Sequence, residues 1–200
     1  YMRKYLNMVF RKTSKVYSKV DEVVKFYRKT QNYTVEEIIN LQELRLQELL
    51  IHSYKNVKYY RDILDKKILE KAKLSDLKKI PILTKDKIRE NFNDLKSSDL
   101  ELRGWRMNSS GGSTGEPIKV IQDQKYIIHS EARKQIAFDW AGYKPGQKII
   151  RLWGSERDII GKGIFYEKVK DFFHNQKTLN AFILTPKLLK KFIDVINRSS

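Results

Sequence analysis

The chain has 200 residues, of which 40% are hydrophobic and 12% aromatic. It carries 41 Lys and Arg against 24 Asp and Glu, a net charge of +17, and no cysteine. The apolar content is enough for a packed core and argues against a disordered chain. The absence of cysteine excludes disulfide staples and thiolate metal sites and fits a reducing cytoplasm. His52, His129 and His174 are far apart and lack paired-ligand spacing, which argues against zinc. No apolar run approaches the length of a bilayer span, and the basic N-terminus is not followed by a signal-peptide core, so a cytoplasmic protein is expected. The charge favours polyanions (nucleic acid, anionic head groups or nucleotides), with a solvated lysine-rich surface as the plainer reading.

Residues 2–30 are basic and helical in pattern, with Val16, Val20, Val23, Val24 and Tyr27 at helical spacing. Such a helix lies on a membrane surface or packs on the rest of the protein, and packing is the expectation. Thr34, with Glu37 three residues on, forms a capping-box pattern. The helix it opens carries a mostly apolar stripe of Ile38, Leu41, Leu44 (or Arg45), Glu48 and Leu49 and runs to about Tyr54. Tyr59 and Tyr60, near the next helix start, read as core. Ser75 is the expected N-cap of a short helix ended by Pro81, and Thr84 caps another that reaches about Phe92. Residues 93–106 are polar and turn-rich. The expected division falls there: a mainly helical region over 1–103, then an α/β region over 104–200.

Within the second region, residues 118–121 read as a strand, and Asp123 caps a helix over 124–140 packed through Ile128, Ala132 and Ile136. Gly142 and the Pro145-Gly146 pair end it. Residues 148–153 read as a buried strand ending at Gly154. Gly161 to Gly163 mark a turn, Phe165 and Phe172 stand at helical spacing, and 178–184 is a further strand. Thr185 and Pro186 supply an N-cap and a first-turn proline for a helix to about Asn197. Strands alternating with helices indicate an α/β fold with parallel pairing. The alternation stops where another strand is due, so the domain is expected to be partial, with further strands beyond residue 200.

The loop over 109–117, SSGGSTGEP, breaks this pattern. Gly111, Gly112 and Gly115 leave backbone N–H groups uncovered, and Ser109, Ser110, Ser113 and Thr114 add hydroxyl donors. Successive exposed N–H groups curl around an anion, so the loop suits phosphate oxygens. It is not a Walker A loop, because Glu116 and Pro117 follow Gly115, and the G-x-G-x-x-G spacing is missing. The other reading is a Gly/Ser hairpin loop or linker without a ligand.

Four stretches, in the same order, resemble the phenylacetate–CoA ligase and CapK branch of the adenylate-forming enzymes. They are Asn56-Val57-Lys58-Tyr59-Tyr60-Arg61-Asp62; Asp76-Leu77-Lys78-Lys79-Ile80-Pro81-Ile82-Leu83-Thr84-Lys85; Ser110-Gly111-Gly112-Ser113-Thr114-Gly115-Glu116-Pro117; and Ala141-Gly142-Tyr143-Lys144-Pro145-Gly146 with the strand to Trp153-Gly154. The resemblance implies an enzyme that joins a carboxylate to ATP with Mg²⁺, giving an acyl-adenylate and pyrophosphate. Many members then pass the acyl group to a thiol such as coenzyme A. CapK-like members are associated with capsular and surface polysaccharide synthesis. The resemblance also implies that Ser110, Gly111, Gly112, Ser113, Thr114 and Gly115 contact the β- and γ-phosphates.

The chain departs from the family in two ways. Many relatives outside this branch have Lys where Glu116 stands. A carboxylate repels polyphosphate, so Glu116 is expected to point away or serve another partner. The resemblance also covers the N-terminal half or less of such an enzyme. The adenine and ribose segments, the acidic Mg²⁺ ligand and the lid with its catalytic lysine are implied to lie past residue 200. No catalytic or metal-ligating residue is therefore expected here, and these residues alone are expected to be catalytically incomplete. Trp153 and Gly154 are candidates for the acyl pocket, with strand-end core as the other reading for Trp153. Arg151 and Arg157 flank them, as exposed charge or as attractors of an anionic substrate. The alternative function is a module without catalysis that binds a partner or, weakly, an anionic membrane surface. No motif supports specific nucleic-acid binding.

Overall fold

The computed structural model describes residues 5–6, 9, 11, 13–69, 71–110, 116–144, 146–154, 169 and 171–199. Two compact units divide the chain, residues 23–133 in one and residues 1–22 with 134–200 in the other, and the division falls inside two helices. Among the described residues helices dominate, with two small two-stranded sheets, a mixed composition compatible with an α/β class. Among the described residues, no helix is long and apolar enough to cross a membrane.

Helix α1 (Lys15–Thr30) buries Val20 and Val24 and leaves Val16 more than a third exposed. Helix α2 (Val35–Asn56) opens with the expected box: the Thr34 hydroxyl accepts from the Glu37 amide at 3.2 Å, and the Glu37 carboxylate accepts from the Thr34 amide at 2.7 Å. These bonds satisfy two donors that a helix start leaves open. The inner face of α2 differs from the expected stripe. Leu50 is buried with Leu64 and Ala72, and Leu46, Tyr54, Tyr60, Ile63, Ile68, Leu69 and Ile80 pack around them. Leu44 and Leu49 face outward. The helix has apolar residues on more than one side, and tertiary packing selects the side that is buried.

Helices α3 (Lys58–Ile63) and α4 (Lys66–Leu69) follow. The expected short helix at Ser75 is a 3₁₀ turn, Leu74–Lys79, entered from Lys73, whose amide donates to the Asp76 carboxylate at 2.9 Å. Ile80, preceding Pro81, is extended and ends the turn. Helix α5 (Lys85–Glu90) is capped by Thr84 as expected and stops two residues short of Phe92.

The polar stretch after α5 conceals a strand. β1 (Trp105–Ser109) pairs antiparallel with β2 (Lys119–Asp123), in register from Trp105 opposite Asp123 to Ser109 opposite Lys119. The parallel pairing expected for this region is therefore not what β2 makes. Helix α6 (Gln124–Trp140) has the expected bounds and buries Ile128, Ala132 and Ile136. It ends in a Schellman motif: Tyr143 N–H reaches the Phe138 carbonyl at 2.9 Å, Gly142 N–H reaches Asp139 at 3.0 Å, and Gly142 takes φ of 78°. Phe138 and Tyr143 close the motif with an edge-to-face contact at 5.4 Å.

β3 (Ile149–Trp153) and β4 (Gln176–Asn180) pair in parallel, Ile149 opposite Gln176 and Trp153 opposite Asn180. β3 is half-buried at its start and exposed at Leu152 and Trp153, so it is not the buried strand expected. β4 starts two residues earlier than expected and ends at Asn180. The Asn180 side chain accepts from the Phe182 amide at 2.8 Å and turns the chain, leaving Phe182, Ile183 and Leu184 outside the ladder and exposed. Helix α7 (Pro186–Asn197) has the expected Thr185 cap and Pro186 start and buries Phe192. The expected turn at Gly161 to Gly163 and the helical spacing at Phe165 lie outside the described residues.

Candidate functional site

The loop over 109–117 joins β1 to β2, so its setting is a β-hairpin. Of the expected phosphate contacts, Ser110 is described; Gly111, Gly112, Ser113, Thr114 and Gly115 lie outside the described residues. At the base, the Ser110 amide donates to the Ile118 carbonyl at 3.0 Å, and the Ile118 amide donates to the Ser110 hydroxyl at 3.0 Å. The Ser109 amide is held by the Asn108 side chain at 2.9 Å. Ser110 therefore uses one lone pair to close the hairpin and keeps its hydroxyl proton for a further acceptor. A closed base fixes where the two ends of the 109–117 segment leave the ladder.

The exit of the loop is held from α5. Arg89 donates through Nη2 to the Glu116 carbonyl at 2.6 Å and through Nη1 to the Asp86 carboxylate at 2.7 Å; its Nε lies 3.9 Å from the Glu116 carboxylate. The Glu116 side chain is largely exposed, and the close contact from Arg89 is to its backbone. Arg89 and Glu116 stand 27 residues apart, and no local pattern in the sequence couples them.

The three other stretches that carry the family resemblance organise structure. Val57 is buried, and Tyr60 packs on the Leu50 cluster with Tyr59 edge-on at 5.4 Å. Burial, then the neighbouring Tyr59, hold the Tyr60 phenol above its ordinary value. Arg61 donates to the Lys55 and Tyr54 carbonyls at 2.8 and 3.3 Å, satisfying acceptors at the end of α2. The Asp76–Lys85 stretch supplies the 3₁₀ turn and the Thr84 cap, and the Ala141–Gly146 stretch supplies the end of α6.

A second polar cluster lies in the same unit as the loop. Asn56 donates its side-chain amide to His52 Nδ1 at 3.1 Å, so His52 carries its proton on Nε2 and meets the Ser97 hydroxyl at 3.3 Å. Ser97 donates to Asp99, and Arg103 spans Asp99 and Asp123. Asp123 in turn accepts from the Tyr126 amide at the start of α6. The Ser97 hydrogen bond, then Arg103, hold the Asp99 carboxyl below its ordinary value. The order His–Ser–Asp places a protonated imidazole nitrogen against the hydroxyl, so His52 cannot accept the serine proton as a nucleophile would require. The cluster is a structural relay from α2 to α6.

Trp153 and Gly154 belong to the other unit. Trp153 is 50% exposed, with the Arg151 guanidinium 4.5 Å from its ring centroid, and its carbonyl accepts from the Ala181 amide. A Cβ at Gly154 would lie 3.4 Å from the Phe182 backbone, so glycine permits a close approach there. Arg157 lies outside the described residues. Among the described residues, no three His, Cys, Asp or Glu side chains gather to hold a metal ion.

With this geometry in view, comparison with known proteins shows a similarity to phenylacetate–coenzyme A ligases. The enzyme of Escherichia coli is 32% identical over 137 residues, 66% of this chain and 31% of its own length. That of Thermus thermophilus is 30% identical over 125 residues, 60% of this chain and 27% of its own length. The chain thus spans less than a third of the length of these curated relatives. No protein-family model matches it. The two similarities support a relationship to the adenylate-forming ligase family.

Proposed function

We propose that the chain forms the phosphate-binding part of an ATP-dependent, AMP-forming carboxylate ligase. The observation that carries this reading is the similarity to two phenylacetate–coenzyme A ligases over 60% or more of the chain. The hairpin closed by Ser110 and Ile118 supports it, because it frames a glycine–hydroxyl segment of the composition that polyphosphate requires. In this reading Ser110, Gly111, Gly112, Ser113, Thr114 and Gly115 donate to the β- and γ-phosphates of ATP. Catalysis at phosphorus depends on positioning and charge neutralisation, which backbone donors and a cation supply. Mg²⁺ would supply further neutralisation; the described residues offer no cluster for it, and its ligands are assigned outside them. The Trp153–Gly154 strand end is assigned to the acyl group of the carboxylate. Coenzyme A as acceptor, a cytoplasmic location and a role in surface polysaccharide synthesis extend the same resemblance.

The test is ATP binding followed by ATP–pyrophosphate exchange. ATP should bind, and replacing Gly111, Gly112 and Gly115 together with Ala should abolish binding while the far-ultraviolet spectrum is preserved. These 200 residues alone should not catalyse exchange; exchange should appear when a polypeptide matching the remaining length of the relatives is supplied with a suitable carboxylate. Exchange by the chain alone would overturn this division of labour.

A second reading is favoured by α7, which leaves Leu189, Ile193 and Ile196 exposed along one stripe while Lys187, Lys190 and Lys191 stand on the same helix. An apolar stripe beside lysines suits an anionic lipid surface. Sedimentation with anionic vesicles, lost at high salt and lost in Ile193→Asp, would support that reading; no sedimentation at low salt removes it.

A further inference from the structure

We propose that Arg89 is a positioning residue for the phosphate loop, holding the segment where the loop rejoins the hairpin and masking the carboxylate of Glu116 from the polyphosphate. This inference rests on the phosphate-binding reading of the same loop and adds a residue and a role that neither the loop sequence nor the family resemblance assigns.

Three observations converge on Arg89. It reaches the 116–118 segment from outside the hairpin, and its hydrogen bond there, at 2.6 Å, goes to the Glu116 backbone. A bond to backbone positions the chain itself, independently of the side chain at 116. The guanidinium is also braced: Asp86, three residues earlier on α5, accepts from Nη1 at 2.7 Å, and Arg89 is only about a third exposed while the Glu116 side chain is 87% exposed. A braced, planar fork holds its geometry at a smaller entropic cost than a free one. The third observation concerns charge. Glu116 directly follows the loop glycines, where a free carboxylate would repel an arriving polyphosphate, and the Arg89 Nε lies 3.9 Å from its oxygen. At that distance and exposure the attraction is modest and salt-sensitive. It partly offsets the one negative side chain of the 109–117 segment.

The two halves of the role separate experimentally. Hydrogen exchange at the Ser110 and Ile118 amides reads the clamp without any nucleotide. Arg89→Ala should speed exchange at both by about five-fold, and Arg89→Lys should fall between, because an ammonium cannot bond Asp86 and the Glu116 carbonyl with the same fork. Titration with ATP reads the charge. Arg89→Ala should weaken ATP by about five-fold at low salt and by less at high salt, and adding Glu116→Gln to Arg89→Ala should recover part of the loss. A purely structural role would leave no salt dependence and no rescue by Glu116→Gln. Unchanged exchange in Arg89→Ala overturns the clamp, and unchanged ATP affinity overturns the masking. A wild-type chain that binds no ATP overturns the phosphate reading and with it the masking, while the exchange result still decides the clamp.

Discussion

Ser110 and Ile118 exchange two hydrogen bonds across the loop base: the Ser110 amide donates to the Ile118 carbonyl, and the Ser110 hydroxyl accepts from the Ile118 amide, each at 3.0 Å. A side chain here takes the place of a backbone acceptor, so the ladder is closed one step beyond β1. Ser110→Ala removes the acceptor for the Ile118 amide and leaves the other bond. We expect a loss of about 1 kcal/mol, the usual net worth of one such bond. It is read as roughly five-fold faster exchange at the Ile118 amide, and Ser110→Thr should retain most of the protection.

The Leu50 cluster is a buried apolar cluster of the unit spanning 23–133. Leu50 is 6% exposed and packs with Leu64 and Ala72. Leu50→Ala removes buried methyl groups and leaves a cavity, for an expected loss of about 2–5 kcal/mol. Leu49→Ala, one residue away on the exposed side of the same helix, should change stability by about 0.5 kcal/mol or less. Urea unfolding of the two variants separates these outcomes, and similar losses would contradict the orientation of α2.

Which of these features the sequence shows depends on the range of the interaction. The Thr34–Glu37 box, the Thr84 and Thr185 caps, the Pro186 start and the Gly142 ending are local chemistry, complete within a few residues, and the structure has each of them where the pattern places it. Strand β1 is hard to read: Trp105 to Asn108 alternate apolar with polar, but only over four residues between a polar stretch and the glycine-rich loop, and the segment becomes a strand because it pairs with β2 across the loop. The inner face of α2 is ambiguous because leucines surround the helix and only packing against Leu64 and Ala72 selects among them. At the candidate site, the hydroxyl–glycine composition is visible in the sequence, whereas the contact from Arg89 to Glu116 joins residues with no sequence relation. The parallel pairing of β3 with β4 is legible as alternation, but the end of β4 is not, because the Asn180 side chain turns the chain against an apolar run that reads as strand.

His129 should make stability depend on pH. Its Nδ1 meets the Tyr27 hydroxyl at 2.9 Å. Burial first, then Lys125, Arg133 and Arg45, hold its pKa below the ordinary value, with Asp123 opposing them. The unfolded chain therefore binds the proton more readily than the folded one, so stability rises with pH wherever the unfolded state holds more protons. The contribution is present above about pH 6.5, the unperturbed imidazole value, and is lost as pH falls from there through the lower folded value. Thermal midpoints measured between about pH 7.5 and 5, a range that brackets the imidazole titration, should drop in the wild-type chain. His129→Gln should flatten that part of the profile, and an unchanged slope would place the titration elsewhere.

Trp153 and Arg151 offer a prediction that separates packing from ligand contact at the strand end. Trp153 is half exposed, with the Arg151 guanidinium 4.5 Å from its ring centroid, so much of its area stays in water. Trp153→Ala should therefore cost far less than the roughly 3–5 kcal/mol typical of a buried aromatic truncated to Ala; about 1 kcal/mol is expected, including the cation–π contact. Arg151→Ala removes that contact alone and should cost about 0.5 kcal/mol. A loss above about 3 kcal/mol in Trp153→Ala would show that the ring is core. A small loss accompanied by weakened binding of an aromatic carboxylate would support its assignment to the acyl group, since an exposed aromatic on a strand end gains most from a ligand that covers it.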